Sequence, residues 1–323
     1  MKKLLVMLLA LVMCLSMAAC GGDKDEAQVY DVAIIQLVPH VALDAATQGF
    51  QEALIAELGA ENVNFTVQNA QGDPTTCTTI VNDFTTKNVD LIMANATAAL
   101  QAAANGTTKI PVLGTSVTEY GTALSIEDFT GLVGGNISGT SDLAPLDQQA
   151  AMITDIFPEA KTVAMLYCSA EANSAYQVKV VTDLLTAAGL TVVDYSFSDS
   201  NDIVSVATAA AAAADVIYIP TDNTAASCTE AINGAVLPTG TPIVAGEEGI
   251  CSGCGVVTLS ISYYDLGYTT GKMAAQILSG EADIADMEIA YAENFTKKYN
   301  KANCDALNID TAALEAKGYV AIQ

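Results

Sequence analysis

Short apolar runs and amphipathic segments alternate along the chain from about residue 30 onward. Residues 31–38, DVAIIQLV, form a nearly continuous apolar run, which predicts a strand buried on both faces of a parallel sheet. The next segment predicts a helix that stops at Gly59. Its apolar stripe consists of Ala46, Phe50, Leu54 and Leu58. This alternation of strand and helix predicts an α/β fold with helices on both faces of the sheet.

The same order of elements occurs twice, which predicts two similar, doubly wound lobes with parallel sheets. A glycine-rich stretch at residues 131–145 separates the two halves, and we interpret it as the first crossing between the lobes. One amphipathic helix after Ser260 has no counterpart in the first half and indicates a further hinge crossing. We therefore assign residues 30–138 and about 262–288 to lobe one, and residues 139–261 and about 289–323 to lobe two.

The first 19 residues do not follow this alternation. Two lysines precede an apolar run from Leu4 to Met17, which is shorter than the roughly 20 residues that a membrane-spanning helix needs. The pattern is typical of a signal peptide over residues 1–19. Residues 17–20, MAAC, resemble the processing site of bacterial lipoproteins, which predicts lipid attachment at Cys20 and a polar tether over residues 20–29. The alternative is an ordinary secretory signal that is cleaved after Ala19. Either way, the mature protein is expected outside the cytoplasm, and the lipid would anchor it to the cell membrane.

The composition excludes some partners. The chain has 37 acidic residues against 12 basic ones, all of them lysine, and its net charge is −25. Nucleic acid is therefore not expected as a partner, because phosphate contacts need clustered cations. The acidity is typical of a solvated surface that keeps a protein in solution.

The cysteines do not indicate a metal or redox centre. Cys251 and Cys254 are the only close pair among the eight cysteines, and His40 is the only histidine. A zinc site would need two more ligands, and a redox motif would need a helix start where the sequence predicts a loop between strands. A local disulfide and two plain thiols both remain open for this pair. We expect neither a metal nor a cofactor.

Several stretches resemble one protein family. They are GFQEAL, QNAQGD, ANATAALQAAA, SGTSD, SAEANS, YIPTDNT and AGEEG, and they occur in this order over nearly the whole mature chain. From about residue 30 to residue 310 the sequence is similar to type I periplasmic binding proteins, the extracytoplasmic receptors of bacterial ABC importers. Within them it is most similar to the group associated with tryptophan and other aromatic amino acids. The resemblance implies two lobes, a ligand between them, and a membrane permease as partner.

In open parallel sheets, ligands bind outside the carboxyl ends of the strands. Polar residues follow the predicted strands at these ends in both halves. The candidate ligand-binding residues are His40, Asn95, Thr97, Thr115, Ser116, Glu171, Asn173, Ser174, Asp222, Asn223 and Glu248. Any aromatic ring that stacks on a ligand has to come from tyrosine or phenylalanine, such as Tyr167 or Tyr263, because tryptophan is absent.

The polar residues at the strand ends differ between the two lobes in a way that suits a zwitterionic ligand. Lobe one offers hydroxyls, amides and helix N-termini, which suit a carboxylate in a chain that has no arginine. Lobe two offers carboxylates, which suit an ammonium group. We predict that Asp222 pairs with the ammonium, with Glu171 and Glu248 as alternatives. Asp222 at the start of a helix could instead be its N-cap, Glu171 could cap the first turn of its own helix, and Thr97 and Ser116 could cap their own elements.

Other functions find less support in the residues. The chain has no P-loop, no nucleophile elbow and no dinucleotide fingerprint, so we do not expect an enzyme. A sugar or nucleoside receptor would share the architecture, although such receptors commonly use arginine and stacking aromatics. A sensor that reports its ligand to a membrane kinase is a third alternative.

Overall fold

The computed structural model describes residues 28–322 and shows two α/β lobes. The sheet of lobe one contains β1 (Tyr30–Gln36), β2 (Val63–Asn69), β3 (Leu91–Asn95), β4 (Val112–Val117), β5 (Ile137–Ser141) and β11 (Ala290–Tyr291). Its order is β11-β5-β4-β3-β1-β2, and all its pairs are parallel. The two-lobed α/β architecture is therefore as predicted.

The sheet of lobe two has a matching order. It contains β6 (Thr162–Cys168), β7 (Thr191–Phe197), β8 (Val216–Ile219), β9 (Ile243–Ala245), β10 (Val257–Ser260), β12 (Thr296–Tyr299) and β13 (Val320–Ala321). Its order is β13-β12-β10-β9-β8-β6-β7. The pair of β10 and β12 is antiparallel, because β12 enters from lobe one after the last crossing.

Helices cover both faces of each sheet. Those of lobe one are α1 (Val41–Leu58), α2 (Pro74–Lys87), α3 (Thr97–Gly106), α4 (Tyr120–Leu124) and α11 (Tyr263–Leu278). Those of lobe two are α5 (Leu146–Ile156), α6 (Ala172–Ala187), α7 (Ile203–Ala213), α8 (Asn223–Ser227), α9 (Thr229–Val236), α10 (Glu248–Gly253), α12 (Lys301–Ala306) and α13 (Thr311–Ala316). Short 3₁₀ turns lie at Ala60–Asn62, Leu237–Thr239 and Ile284–Asp286.

The extra helix predicted after Ser260 is α11, and it packs tightly against α1. A Cβ atom built on Gly49 would lie 2.1 Å from the carbonyl oxygen of Tyr264, and one on Gly267 would lie 1.9 Å from that of Ala46. Only glycine permits this approach of the two helix backbones. The contact returns residues 263–278 to lobe one after the chain has built most of lobe two.

The crossings between the lobes come slightly later than predicted. Strand β5 runs to Ser141 in the first sheet, and β11 extends that sheet to Tyr291, beyond the predicted boundaries at residues 138 and 288. The glycine-rich stretch misled the prediction because Gly139 is part of a strand. At φ +146° its backbone lies so close to β4 that a Cβ would meet the carbonyl oxygen of Gly114 at 2.0 Å.

The segment around Cys251 is a helix, not the predicted loop. Helix α10 begins after Glu247, whose carboxylate accepts hydrogen bonds from the backbone N–H groups of Gly249 and Ile250. Cys251 and Cys254 are buried, and the six cysteines of the described residues are free thiols. Of the two alternatives for the pair, the structure has the two thiols.

The predicted signal peptide, Cys20 and most of the tether lie outside the described residues. Between residues 28 and 322, no helix combines the length and apolar character that crossing a membrane requires.

Candidate functional site

The topological switch points of the two sheets face each other across the cleft between the lobes. In lobe one the strand order reverses between β1 and β3, and in lobe two it reverses between β6 and β8. Ligands of doubly wound sheets bind in the crevice outside the carboxyl ends of such strands. His40 follows β1 and Asn223 follows β8, and the ring nitrogen Nε2 of His40 lies 3.3 Å from Oδ1 of Asn223.

A cavity of about 370 Å³ lies beside this contact. Both lobes line it, with Val38, Thr97 and Gln101 on one side and Glu171, Asn173 and Asn223 on the other. Small-molecule sites are typically about 300–1,000 Å³, so the space fits a ligand of amino-acid size. Four of the predicted residues therefore line one interlobe cavity.

The carboxylate of Glu171 accepts hydrogen bonds from donors of its own lobe. Its carboxylate accepts hydrogen bonds from the backbone N–H groups of Asn223, at 3.0 Å, and Thr224, at 2.8 Å. It also accepts from the side chains of Asn173, Asn223 and Thr224. With five donors and 9% exposure, this carboxylate holds the N-terminus of α8 against α6.

Asp222 has the contacts of an N-cap, the alternative that the sequence left open. Its Oδ1 accepts from the backbone N–H of Ala225 at 2.8 Å. Its Oδ2 accepts from the backbone N–H of Cys168 and the hydroxyl of Ser174, both at 2.7 Å. The side chain is 1% exposed, and burial, with the nearby charge of Glu171, raises its pKa to about 7. These contacts join β6, α6 and α8 within lobe two and leave the predicted pairing with a ligand ammonium unsupported.

Glu248 is also paired within lobe two, because its carboxylate forms an ion pair with Lys298. Its neighbour Glu247 caps α10 and is buried, and this burial raises its pKa to about 7. Each lobe-two carboxylate that the sequence nominated for an ammonium group is thus paired within its own lobe.

At the carboxyl edge of the lobe-one sheet, in contrast, several buried polar atoms have no hydrogen-bond partner among the described residues. Within residues 28–322, seven buried side-chain polar atoms have no hydrogen-bond partner, and four of them lie at this edge. They are Nδ1 of His40, Oδ1 of Asn95, Oγ of Ser116 and Oδ1 of Asp142. These residues end or follow β1, β3, β4 and β5, which are neighbours in the sheet. Because buried polar groups in proteins are almost always paired, each of these four atoms has hydrogen-bonding capacity left for a ligand or for water.

Backbone strain occurs at the same edge. Ala96 has φ +95° and ψ 159°, and Ser116 has φ +54°. Such conformations cost of order 1–3 kcal/mol in residues other than glycine and cluster at ligand sites. Ala96 is also the N-cap of α3 and has no side-chain oxygen, so the first N–H groups of this helix receive no cap from it. Thr97 therefore lies at an open helix N-terminus, beside the unpartnered hydroxyl of Ser116.

Three predicted residues have mainly structural contacts. The hydroxyl of Thr115 bonds that of Thr140, inside the lobe-one sheet. Asn95 donates through Nδ2 to the carbonyl oxygen of Leu43 at 2.8 Å, although its Oδ1 stays unpaired. Ser174 donates to Asp222. Asn95 and Thr115 lie at or near the ends of their strands, whereas Ser174 lies in the first turn of α6. The sequence could not show which way each side chain turns.

Known proteins identify the class to which this architecture belongs. The family described as ABC transporter substrate binding protein matches residues 31–314. The chain belongs to this family. Its members bind solutes outside the cytoplasm for ABC transporters, and their function is binding, not catalysis. The two-lobed structure is the type I periplasmic binding protein fold that the resemblance implied.

Three similar proteins of the family are informative. A curated "Tyrosine-binding protein" of Clostridioides difficile is 30% identical over 99% of this chain and 96% of that protein. A Streptococcus pneumoniae ABC domain in complex with L-Trp is 30% identical and has a TM-score of 0.86, covering 91% of this chain and 100% of the other. A ligand-free, open substrate binding protein with adhesive properties from Clostridium difficile is 33% identical with the same coverage, and its TM-score is 0.68.

Asp142 belongs to the same edge of the sheet, but it is not among the candidate residues of the sequence analysis. It ends the SGTSD stretch, within the segment predicted as a crossing between the lobes, and is 4% exposed. The hydroxyl of Tyr263 donates to its Oδ2 at 2.9 Å, while Oδ1 has no partner. Burial raises the pKa of this carboxyl. Its position in the sequence could have identified it as a candidate, because Asp142 directly follows a strand whose carboxyl end faces the cleft. Tyr263 is therefore a neighbour of the site, whereas Tyr167 lies on β6 of lobe two.

Proposed function

We propose that this protein captures an amino acid with an aromatic side chain between its lobes and delivers it unaltered to the permease of an ABC transporter. The row of four unpartnered polar atoms at the carboxyl edge of the lobe-one sheet carries the proposal. The printed names of the relatives support the ligand class, since one is called tyrosine-binding and another was solved with L-Trp.

The row contains groups for both charges of an amino acid. Asp142 offers an unpaired carboxylate oxygen to the ammonium group, through a short charge-assisted hydrogen bond. Ser116 offers a hydroxyl to the carboxylate, next to the open N-terminus of α3 at Thr97, where backbone N–H groups and the helix dipole favour an anion. No arginine is needed for this arrangement, in agreement with its absence from the chain.

Closure of the lobes completes the site. At similar sequence identity, the structure superposes better on the L-Trp complex, with a TM-score of 0.86, than on the open, ligand-free protein, with 0.68. The interlobe contact between His40 and Asn223 is consistent with a closed arrangement. The ligand first meets the polar row of lobe one, and hinge motion then brings lobe two over it.

A ligand screen tests the proposal. L-tyrosine or L-tryptophan should raise the free energy of unfolding by about 2.7 kcal/mol at 100 times its dissociation constant, as measured by thermal or chemical denaturation. L-leucine, a hexose and a nucleoside serve as controls, and we expect no comparable shift with them. Stabilisation by the hexose or the nucleoside, with none from an aromatic amino acid, would refute the proposed ligand class.

Membrane attachment through Cys20 is a separate proposal, which rests on the sequence pattern of residues 1–20. Replacing Cys20 with alanine removes the thiol to which a lipid would be joined. We expect the variant to appear in the medium or to remain unprocessed, as seen by fractionation and by its mobility on a gel. A Cys14→Ala variant, changed inside the apolar run, should behave as the wild type does. Unaltered processing and attachment of the Cys20 variant would contradict the assignment.

A further inference from the structure

Two hydrogen bonds connect Glu171 to His40 through the side-chain amide of Asn223, and their direction is fixed. A carboxylate only accepts hydrogen bonds, so Glu171 receives the amide nitrogen Nδ2 of Asn223, at 2.7 Å. This contact turns the amide oxygen Oδ1 of Asn223 towards lobe one, where it meets Nε2 of His40 at 3.3 Å. Because an amide oxygen only accepts, His40 has to donate from Nε2 across the cleft.

The tautomer of His40 follows from this order. In a neutral imidazole one ring nitrogen carries the proton and the other presents a lone pair. With the proton on Nε2, Nδ1 is a hydrogen-bond acceptor, and this buried atom has no partner in the protein. Burial also lowers the pKa of His40, which keeps the ring neutral and the lone pair available near pH 7.

The position of His40 separates it from the groups proposed for the ammonium and the carboxylate. It follows β1, whereas Asp142 follows β5, and the sheet order between them is β5-β4-β3-β1. Three strand spacings correspond to about 14 Å. An amino acid held at Asp142 and Ser116 would therefore extend its side chain past Thr97 towards His40. The ring of His40 is not among the lining residues of the interlobe cavity, but Val38, two positions before it, and Asn223, its hydrogen-bond partner, both line it.

We infer that Nδ1 of His40 accepts a hydrogen bond from the ligand's side chain and so selects ligands that carry a donor there. The phenolic O–H of tyrosine and the indole N–H of tryptophan are such donors, whereas phenylalanine has none. A site built to bond a donor rejects an analogue without it, because the analogue leaves a buried acceptor unpaired. This inference rests on the proposed function and adds the selection among aromatic side chains.

Matched ligand pairs test the inference by calorimetry. L-tyrosine is compared with L-phenylalanine, and L-tryptophan with 3-benzothienyl-L-alanine, in which sulfur replaces the indole N–H. For the parent ligand that binds more tightly, we expect the wild type to prefer it to its partner by at least about tenfold, the equivalent of 1.4 kcal/mol. In His40→Leu this preference should fall to within about twofold, and His40→Gln should restore part of it.

A control variant separates selection of the ligand side chain by His40 from a role of His40 in lobe closure alone. Asn223→Ala removes the acceptor across the cleft but keeps the ring of His40, so both members of a pair should weaken together and their ratio should stay within about threefold. Equal loss for both ligands in His40→Leu, or equal binding of both by the wild type, would overturn the inference and leave the proposed function intact. Binding of none of the four amino acids by the wild type would overturn both.

Discussion

Asp142→Asn should weaken the binding of the proposed amino acid by at least about 30-fold. Truncating one partner of a desolvated charge pair costs roughly 2–5 kcal/mol of binding, and each 1.4 kcal/mol is a factor of ten. Asparagine keeps the shape of the side chain and can still accept the hydrogen bond from Tyr263. Since burial already disfavours the charge of Asp142, the variant should fold with at least the stability of the ligand-free wild type. Calorimetry measures the ligand affinity, and denaturation measures the stability of the ligand-free protein.

Ligand analogues show whether the lost interaction involves the ammonium group. An arylpropionic acid, which has the carboxylate and the ring but no amine, should bind the wild type much more weakly than the parent amino acid does. Asp142→Asn should bind both to a similar extent, because the group that distinguishes them is gone. Tyr263→Phe is the matched control, since it removes a neighbouring hydroxyl but leaves the carboxylate, and it should weaken binding by less than about tenfold. An affinity of Asp142→Asn within about twofold of the wild type would show that the ammonium binds elsewhere.

The architecture could be predicted from the sequence because periodicity is a local signal. Buried parallel strands appear as apolar runs such as residues 31–38, and helices have stripes with stop signals such as Gly59. Two predictions about the architecture were wrong: the position of the crossing assigned to the glycine-rich stretch and the loop assigned to the segment around Cys251. Gly139 in the predicted crossing permits the close pairing of β5 with β4, because a Cβ atom there would meet the distant carbonyl oxygen of Gly114. No local pattern reports such a contact.

The edge of the sheet that forms the site was also predictable, but the role of each side chain was not. Order along the chain places Glu171, Asp222 and Asp142 after strands. Whether such a carboxylate stays free depends on donors from residues about 50 positions away, as with Cys168 and Asp222, which are separated by 54. Asp142 stays partly free because Tyr263, 121 positions away, pairs with only one of its oxygens. These pairings arise only in the folded chain.

Asp222→Asn should destabilise the protein by about 1–3 kcal/mol at pH 4, where the raised pKa of Asp222 contributes most to stability, and leave ligand affinity within about twofold. The carboxyl group serves three donors, and an asparagine can offer its single oxygen to Ala225 only by turning an N–H group towards the N–H of Cys168. One buried donor then has no acceptor. Chemical denaturation measures the loss. Asp183→Asn, at an exposed carboxyl on α6, is the control and should change stability by no more than about 0.5 kcal/mol.

The pH dependence of stability gives the same variant a second signature. Burial raises the pKa of Asp222 to about 7, whereas an aspartate in the unfolded chain has a pKa of about 3.9. The folded state therefore binds a proton at this carboxyl more readily than the unfolded chain does. This carboxyl therefore stabilises the fold most below pH 4, and that contribution is lost as pH rises to about 7, by up to about 1.4 kcal/mol per pH unit. Asp222→Asn should flatten the profile over this range, whereas Asp183→Asn should not. A variant that kept the stability and pH profile of the wild type but bound the ligand at least tenfold more weakly would make Asp222 the ammonium partner, and the assignment of Asp142 would then be wrong.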